Sequence, residues 1–435
     1  MCYNFRTLNY LGSKLRILDF IEEHVGRTTC AGSWVCDLFA GSGCVSYRLA
    51  QKFLVMSCDI QAYSNVIANA LLKEFPVTDK DVTFFMNDVQ KVNQRLQECF
   101  MPLIEREERA IAEGNLQVLA DLTEHGSIEV FTLEQRDSSL SSQQMAVYNR
   151  LAESGQNGVM SLISRYYGGV YFSYRQAVQL DSILEVVHNQ VEPGIRDIYL
   201  AALLSTASDI AYTVGKHFAQ PLKARISDGE IKRFILSKAM RDKLIDVRRV
   251  YQDWLKRYMT IPRVHHDCMV MQGDYMDCLR RMPDQVSTIY ADPPYTRDHY
   301  SRFYHVLETM ALRDNPALSK TTIHGASHIS NGIYREDRHQ SPFCIRSQAP
   351  TAFRSMFSFA SETGRSLLLS YSPYDETRKT HPRVVTMQQI LSLAEESFAH
   401  VEIVSPGAFK HNKLNSAHHL LEASDEAELL IVCTN

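Results

Sequence analysis

The chain has 435 residues, 45% of them hydrophobic, and a formal net charge of −4, so two or three domains with a substantial core are expected. Its ten cysteines include no Cys-x-x-Cys pair, which favours buried reduced thiols over a disulfide framework or zinc ligands. No signal-peptide pattern opens the sequence and no apolar run approaches the ~20 residues of a membrane span, so we expect a cytoplasmic protein without a membrane partner.

The first chemical motif is a glycine turn between a strand and a helix. A short apolar strand, Trp34-Val35-Cys36, runs into Asp37-x-Phe39-x-Gly41-Ser42-Gly43 and then a helical pattern. Glycines at such a turn let the backbone approach a ligand closely. Asp37 would repel a pyrophosphate but suits a cation, such as the ammonium of an amino-acid moiety.

A second strand, residues 53–58, ends at Asp59. An acidic residue about 20 positions beyond a glycine turn is placed to accept hydrogen bonds from ribose hydroxyls. The two motifs together predict a nucleoside site. S-adenosylmethionine combines ribose, adenine and an ammonium group, and it is therefore the expected cofactor.

A long insertion follows the nucleoside motifs. Apolar residues spaced i, i+3, i+4 predict helices over Gln94 to Thr123, Ser141 to Ala152, Ser173 to Gln190, Ile195 to Val214 and Ile231 to Arg257.

The end of the insertion is basic although the chain as a whole is acidic. Residues 216–263 hold thirteen Lys or Arg and five Asp or Glu. Phosphate binding needs a local positive surface, so the acidic remainder does not exclude double-stranded DNA as a partner. We predict that Arg248, Arg249, Lys256 and Arg257, interleaved with Tyr251, Trp254 and Tyr258, face DNA; a solvated amphipathic helix is the alternative.

The second chemical motif is Asp292-Pro293-Pro294-Tyr295, directly behind the apolar strand candidate of residues 286–291. Two prolines remove two backbone N–H donors, which leaves carbonyl oxygens and the Asp292 carboxylate as acceptors. An exocyclic amino group supplies two donors to such acceptors, and Tyr295 offers a flat face for stacking. A strand-ending turn is the alternative reading, and it leaves the tyrosine unexplained.

These motifs, in this order, resemble the Dam-like class of DNA adenine methyltransferases. Residues 9–14 resemble the opening motif of that class, which packs beside the methionine end of the cofactor. Gly273-Asp274-Tyr275 resembles the element whose acid meets the cofactor's adenine amine. The resemblance implies that the cofactor is bound by Tyr10, Gly12, Ser13, Lys14, Asp37, Phe39, Gly41, Ser42, Gly43, Asp59, Ile60, Asp274 and Tyr275.

Further stretches resemble the same class: residues 171–173, 211–218, 300–309, 335–338, 343–344 and 367–372. The stretch from about residue 99 to residue 155 matches nothing in it. The implied fold is α/β, a Rossmann-like methyltransferase sheet with helices on both faces and a mainly helical inserted domain. We expect residues 1–95 and 265–435 to form the catalytic domain, 96–264 to recognise DNA, and 313–350 to form a mobile loop.

The predicted function is site-specific methylation of the adenine amino group, in restriction-modification or another DNA-modification or defence setting, with a cognate restriction or defence protein as a possible partner. Asp292 and the Pro293 carbonyl would accept the amine hydrogens while Tyr295 stacks on the flipped base. A cytosine amino-methyltransferase, an RNA or protein-amide methyltransferase and a catalytically silent DNA-binding subunit stay open.

Histidine-containing clusters do not predict a metal site. His265, His266 and Cys268, and separately His411, His418 and His419, lack zinc-ligand spacing with a second pair. Methyl transfer from a sulfonium needs no metal.

Overall fold

The computed structural model describes residues 5–135, 138–297, 300–323, 325–372, 383–407 and 428–435. Contacts divide the chain into two compact units. Unit 1 comprises Met1–Glu74, Ile261–Ser301 and His339–Asn435, and unit 2 comprises Phe75–Thr260 and Arg302–Arg338. In the described part of the chain, no helix is long and apolar enough to cross a membrane.

The strands in chain order are β1 (Trp34–Asp37), β2 (Leu54–Asp59), β3 (Cys268–Gln272), β4 (Val286–Ala291), β5 (Lys320–Ile323), β6 (Ala326–Ile329), β7 (Ser366–Tyr371), β8 (His400–Val404) and β9 (Leu429–Thr434).

The helices in chain order are α1 (Leu18–Thr28), α2 (Cys44–Leu49), α3 (Ala62–Leu72), α4 (Asp79–Glu113), α5 (Leu116–His125), α6 (Ile128–Glu134), α7 (Ser141–Glu153), α8 (Leu162–Tyr167), α9 (Tyr174–Gln190), α10 (Arg196–Ile210), α11 (Phe234–Asp242), α12 (Val247–Thr260), α13 (Tyr275–Arg280), α14 (Tyr300–Phe303), α15 (His305–Leu312), α16 (Ala349–Glu362) and α17 (Met387–Glu395). Short 3₁₀ helices occur at Gly158–Ser161, Pro193–Ile195, Val214–Lys216 and Pro342–Cys344.

Unit 1 is built on a seven-stranded sheet of order β3-β2-β1-β4-β7-β9-β8. The first five of these strands are parallel, and β9 runs antiparallel between β7 and β8. The predicted strand centres at Val55, Ile289, Leu368 and 430–432 are all confirmed. Strands β4 and β7 are apolar and buried almost throughout, as parallel strands covered on both faces require. The predicted α/β class is therefore confirmed, and the sheet is mostly parallel.

Unit 2 is mainly helical. Its longest helix, α4, begins fifteen residues before the predicted start because Thr78 and Asp81 form a capping box. The helix ends at Gly114, whose left-handed backbone, φ 68°, is available to glycine at low cost. Ser173 and Gln176 form the corresponding capping box at the start of α9.

Three predictions about the middle of the chain are wrong in detail. The helix predicted from Gln94 to Thr123 is divided at residues 114–115 into α4 and α5. The helix predicted from Ile231 to Arg257 is two helices, α11 and α12, separated by residues 243–246. The loop predicted over residues 313–350 contains the antiparallel hairpin β5–β6. Contacts group residues 302–338 with the helices of unit 2 and not with the sheet.

Candidate active site

Four neighbouring parallel strands each lead to a carboxylate. β1 ends at Asp37 and β2 at Asp59, while Asp274 follows β3 and Asp292 follows β4 within two residues. The carboxyl ends of parallel strands meet at one edge of a sheet, where ligands of open α/β folds bind. All four carboxylates line a single cavity of unit 1.

The structure gathers most of the predicted site residues around this cavity. Gly41 and Gly43 lie in the turn that supports it. The predicted residues that line it are Tyr10, Gly12, Ser13, Lys14, Asp37, Phe39, Ser42, Asp59, Ile60, Asp274, Tyr275, Asp292, Pro293, Pro294 and Tyr295.

Asp37 presents a buried acceptor to the cavity. The Ser46 hydroxyl donates to Asp37 Oδ2 at 2.6 Å, and Asp37 Oδ1 has no hydrogen-bond partner within the described part of the chain. Burial raises the pKa of Asp37 to about 7, and the Ser46 hydrogen bond opposes that shift. An unpaired buried carboxylate oxygen is costly, so this wall of the cavity favours a cationic ligand.

The two glycines of the turn are needed for close packing. Gly41 and Gly43 have φ of 52° and 71°, in the region that favours glycine. A Cβ at Gly41 would lie 2.5 Å from Tyr10 Oη, and one at Gly43 would lie 2.9 Å from Leu71 Cδ1. Because neither glycine has a side chain, the Tyr10 ring can pack against Gly41, and Leu71 of α3 can pack against Gly43.

Asp59 fastens that turn to β2. The Gly41 N–H donates to Asp59 Oδ2 at 2.8 Å, and the Gln61 N–H donates to Asp59 Oδ1 at 2.8 Å. Burial raises the pKa of Asp59, and these two N–H groups oppose the shift. Each carboxylate oxygen keeps a second lone pair, so Asp59 has acceptor capacity left for a ligand hydroxyl.

Aromatic rings stand beside Asp274. The rings of Phe39 and Tyr275 stack with centroids 6.3 Å apart, and Phe343 meets both edge-on at 5.4 and 5.0 Å. Asp274 caps α13, since its Oδ1 accepts the Met276 N–H at 2.9 Å. The pairing of a carboxylate with a ring platform suits a planar heterocycle that bears an amino group.

Lys14 occupies a place that the sequence did not indicate. Its ammonium lies 2.7 Å from Asp292 Oδ2 and 3.4 Å from Glu428 Oε1, and it donates to the Gly12 carbonyl at 3.2 Å. Burial favours the neutral amine, but the attraction of Asp292 and then of Glu428 outweighs it and holds the pKa of Lys14 well above its ordinary value. The predicted amine acceptor is thus already paired with a cation.

Tyr295 is more enclosed than its predicted stacking role suggests, since it is only 9% exposed. The Arg383 guanidinium lies over its ring, 4.6 Å from the centroid, and the Tyr371 ring packs against it at 5.0 Å. Arg383 is itself held by hydrogen bonds to the Ser372 carbonyl and hydroxyl oxygens. A base that stacks on Tyr295 must therefore use the part of the ring that Arg383 and Tyr371 leave open.

Several cavity residues were not among the predicted site residues, although Tyr300 lies in a stretch that resembles the Dam-like class. His339, Tyr63, Tyr290 and Tyr300 line the cavity. Burial lowers the pKa of His339, whereas Asp274 and Asp59 act to raise it. Glu428, 1% exposed, reaches the site only through the pairing of β9 with β7, a contact that no local pattern indicates.

The predicted DNA-facing residues lie elsewhere, on α12 of unit 2. Arg249, Lys256 and Arg257 are exposed and Arg248 is half-buried. The aromatics Tyr251, Trp254 and Tyr258 are buried, so the prediction that they belong to a DNA surface is wrong.

Ion pairs also reduce the positive charge of residues 216–263. Lys216, Lys238 and Arg241 all pair with Asp242. The further pairs are Lys243 with Glu107, Arg225 with Asp121 and Glu124, and Arg263 with Glu74. The exposed positive charge of this segment is therefore smaller than its composition suggests.

Among the described residues, no three or more His, Cys, Asp or Glu side chains form a group that could hold a metal ion. His411, His418 and His419 lie outside the described residues. The nine cysteines that the structure describes are free thiols.

Comparison with known proteins gives a family match over part of the chain. Residues 10–159 match the model of the D12 class N6 adenine-specific DNA methyltransferase family. The match includes residues 99–155, which showed no resemblance to the Dam-like class by motif, and it stops before Asp292.

Two relatives are modification enzymes by name. Modification methylase LlaI of Lactococcus lactis subsp. lactis is 23% identical over 387 residues, 85% of this chain and 47% of that protein. Type II methyltransferase M.CviAII of Paramecium bursaria Chlorella virus 1 is 39% identical over 75 residues, 17% of this chain and 22% of that protein. The chain thus spans about half the length of the first relative and about a fifth of the second.

Proposed function

We propose that this protein is a site-specific DNA methyltransferase that transfers a methyl group from S-adenosylmethionine to the exocyclic amino group of adenine. The observation that carries the proposal is the arrangement of Asp37, Asp59, Asp274 and Asp292 around one cavity at the ends of adjacent parallel strands. The family match and the two relatives support the same reaction. The names of the relatives, a modification methylase and a type II methyltransferase, support a role in a restriction-modification or other DNA-modification system.

The cavity residues fit the proposed cofactor group by group. Asp37 Oδ1, buried and unpaired in the described structure, matches the ammonium of the methionine moiety. Asp59 retains lone pairs for ribose hydroxyls. The Asp274 carboxylate matches the amino group of the adenine, and the neighbouring rings of Tyr275 and Phe39 match the flat faces of the adenine ring. When bound, the cofactor supplies an electrophilic methyl group on a positively charged sulfur.

The acceptors of the Asp292 motif suit the target amine. The nitrogen lone pair of adenine is delocalised into the ring, so the amine is a weak nucleophile until it pyramidalises. Hydrogen bonds to Asp292 and to the Pro293 carbonyl would favour that geometry and stabilise the positive charge that develops on nitrogen. The Lys14–Asp292 distance of 2.7 Å supports this role, because the carboxylate already accepts an N–H donor at this position.

Lys14 and the target amine compete for Asp292 in this mechanism. We propose that the arriving amine displaces the Lys14 ammonium from Asp292, and that Glu428, 3.4 Å away, retains it. The base must leave the duplex to reach the cavity, which costs a few kcal/mol of unstacking, and partial stacking on Tyr295 offsets that cost.

The direct test is methyl transfer followed by identification of the product. Purified protein, plasmid DNA and S-adenosylmethionine are incubated, and long-read sequencing maps any modified base. We expect N6-methyladenine at one recurring sequence and no product with Asp292→Ala. Methylation of cytosine would overturn the assignment of the base, and cofactor binding without any methylated product would favour a silent DNA-binding subunit. The adenine-specific family match favours the first outcome over both alternatives.

A further inference from the structure

Unit 2 contains an aromatic ring that carries two arginines. The guanidinium carbons of Arg302 and Arg338 lie 5.5 and 4.8 Å from the centroid of the Tyr334 ring. Because both distances are measured to the same ring centroid, the two guanidinium carbons are at most about 10 Å apart. Stacking on a ring leaves the N–H edges of a guanidinium available to a ligand.

The ring that bears the arginines is held on several sides. The Tyr334 hydroxyl donates to the Ala219 carbonyl, and a Cβ at Gly332 would lie 2.2 Å from the ring. His305 meets the ring edge-on at 5.1 Å. Burial lowers the pKa of His305 to about 3, so this histidine is uncharged and adds nothing to the local positive charge.

Segments that are distant in sequence build this platform. The Tyr171 hydroxyl donates to the Phe218 carbonyl at 2.9 Å and to the Gly332 carbonyl at 3.1 Å. The Phe218 N–H donates to the Phe303 carbonyl at 2.9 Å. Each contact ties the ring's surroundings to a different part of unit 2, so the arginines are displayed on a fixed surface.

The charges of the two arginines are only partly balanced by the protein, through the nearby Asp337 carboxylate, which attracts Arg338. Within the described residues, neither Arg302 nor Arg338 forms an ion pair with a carboxylate. The neighbouring Arg335 differs, since it pairs with Asp314 at 2.6 Å and with Asp337 at 2.8 Å. Burial lowers the pKa of Arg338, and the charge of Arg302 lowers it further. Asp337 opposes that shift but is itself paired with Arg335. Two like charges that have no ion-pair carboxylate of their own favour an anionic ligand.

The positions of Arg302 and Arg338 in the sequence indicate that the anionic ligand is a DNA phosphate. Arg302 directly follows Ser301 and Arg338 directly precedes His339, and both Ser301 and His339 line the candidate active site. Neighbouring Cα atoms are about 3.8 Å apart, so each arginine is covalently fixed next to a residue of the cavity that would receive the base.

We propose that Arg302 and Arg338 form a phosphodiester-binding site that grips the DNA backbone beside the target nucleotide. The site rests on the proposed function and adds to it a place where the strand is held. The proposed phosphodiester-binding site is separate from the basic residues of α12, because it consists of two arginines that lie against the Tyr334 ring.

The test compares DNA binding of the wild type with Arg302→Gln/Arg338→Gln by fluorescence anisotropy over a range of salt concentrations. We expect weaker binding and a slope of log affinity against log salt that is shallower by about 0.9 for each phosphate that the variant no longer binds. Neutral methylphosphonate linkages on either side of the target adenine should weaken binding by the wild type but add no further weakening in the double variant. Equal slopes, or equal methylphosphonate effects on both proteins, would overturn the site.

The matched control is Arg95→Gln, which removes one exposed positive charge from α4. If Arg95→Gln changes the salt slope as much per charge as the double variant does, the loss of net charge alone explains the effect, and the proposal is overturned. Circular dichroism checks folding, and Arg302→Gln alone provides the test if the double variant does not fold. A wild type that binds duplex DNA with the expected slope but transfers no methyl group would overturn the proposed function and leave this site standing.

Discussion

The Lys14 ammonium lies 2.7 Å from the Asp292 carboxylate and 3.4 Å from that of Glu428, and both Lys14 and Glu428 are almost fully buried. One cation therefore balances two carboxylates where the target amine is expected to bind. Removing one partner of a buried ion pair typically costs about 3–5 kcal/mol, because the remaining charge is left uncompensated.

Replacing Lys14 with methionine should accordingly destabilise the fold and change the pH dependence of methyl transfer. Without the ammonium, Asp292 and Glu428 repel each other and the pKa of the pair rises. Because transfer requires ionised Asp292, the acidic limb of the pH–rate profile should move to higher pH. Urea unfolding and single-turnover rates across pH measure the two effects.

Glu428→Gln added to Lys14→Met should restore part of the stability, since one of the two uncompensated charges is gone. Lys91→Met is the control, because Lys91 is 73% exposed and pairs with the partly exposed Asp88, and such surface pairs contribute about 0–1 kcal/mol. An unchanged pH profile in Lys14→Met would show that the ammonium does not influence Asp292 during turnover.

Asp292→Ala should abolish methyl transfer and leave cofactor affinity nearly intact, because Asp292 acts on the target amine. The loss of a preorganised electrostatic interaction typically costs about 10²–10³ in rate. Single-turnover kinetics and calorimetry measure the two properties. Asp284→Ala, a fully exposed carboxylate just before β4, should match the wild type in both. Turnover above about a tenth of wild type would rule out the role given to Asp292.

Asp59→Ala should raise the cofactor dissociation constant by about 10- to 100-fold and leave DNA binding little changed. Asp59 also accepts the Gly41 N–H, so Asp59→Asn, which keeps one oxygen, separates the turn from the ribose contact. We expect Asn to give an intermediate dissociation constant. Unaltered affinity in a folded Asp59→Ala protein would move the ribose contact elsewhere.

Asp37 predicts a pH-dependent affinity for the cofactor. Its pKa in the cofactor-free protein is raised to about 7, and only the ionised carboxylate attracts an ammonium, so affinity should increase as pH rises through about 7. Calorimetry should detect proton release on binding below that pH, and Asp37→Asn should remove both effects. A dissociation constant that is constant from about one unit below to one unit above pH 7 would contradict the assignment.

The raised pKa of Asp37 also affects the stability of the cofactor-free protein, and here the effect of rising pH is unfavourable. The folded protein holds a proton on Asp37 that the unfolded chain releases near its ordinary pKa of 3.8. Stability contributed by this group should therefore fall as pH rises from about 4 to about 7, and Asp37→Asn should flatten that part of the curve.

Neutralising Arg248, Arg249, Lys256 and Arg257 together should weaken binding to every DNA sequence alike. If these residues bind phosphates, the salt slope should become shallower by about 0.9 for each phosphate released, with cofactor affinity preserved. Altered sequence preference would instead indicate that some of them read base edges.

The control for this quadruple variant neutralises four exposed cations elsewhere, Lys73, Lys91, Arg280 and Arg354. Folding must be measured in parallel, because Arg257 stacks on Trp254 at 3.9 Å. Unchanged affinity and salt slope in a folded quadruple variant would exclude α12 as a DNA surface.

The sequence predicted the strand-end residues well because their signals are local. Asp37, Asp59 and Asp292 each follow an apolar strand, and parallel strands place their carboxyl ends together. The partner of Lys14 could not be predicted in this way. Glu428 reaches the site through the antiparallel register of β9 with β7, which depends on contacts between distant segments.

The α12 aromatics show how a periodic pattern can be misread. Tyr251, Trp254 and Tyr258 follow helical spacing, and that spacing equally describes a buried stripe and a surface stripe. The Trp254 indole N–H donates to Asp209 and the Tyr258 hydroxyl meets Ser205 at 3.0 Å, so these polar ends are satisfied inside unit 2. The adjacent arginines made the surface interpretation attractive, but burial of the rings decides against it.

Because unit 2 is assembled from Phe75–Thr260 and Arg302–Arg338, it cannot be transplanted as one contiguous fragment. A chimaera that exchanged only the longer segment with a relative would break the Phe218–Phe303 and Tyr171–Gly332 hydrogen bonds and leave Tyr334 without its matching surroundings. Recombination with a relative should therefore yield folded hybrids only when crossovers move both segments together. Residues 75–260 and 302–338 have to be exchanged as one structural unit.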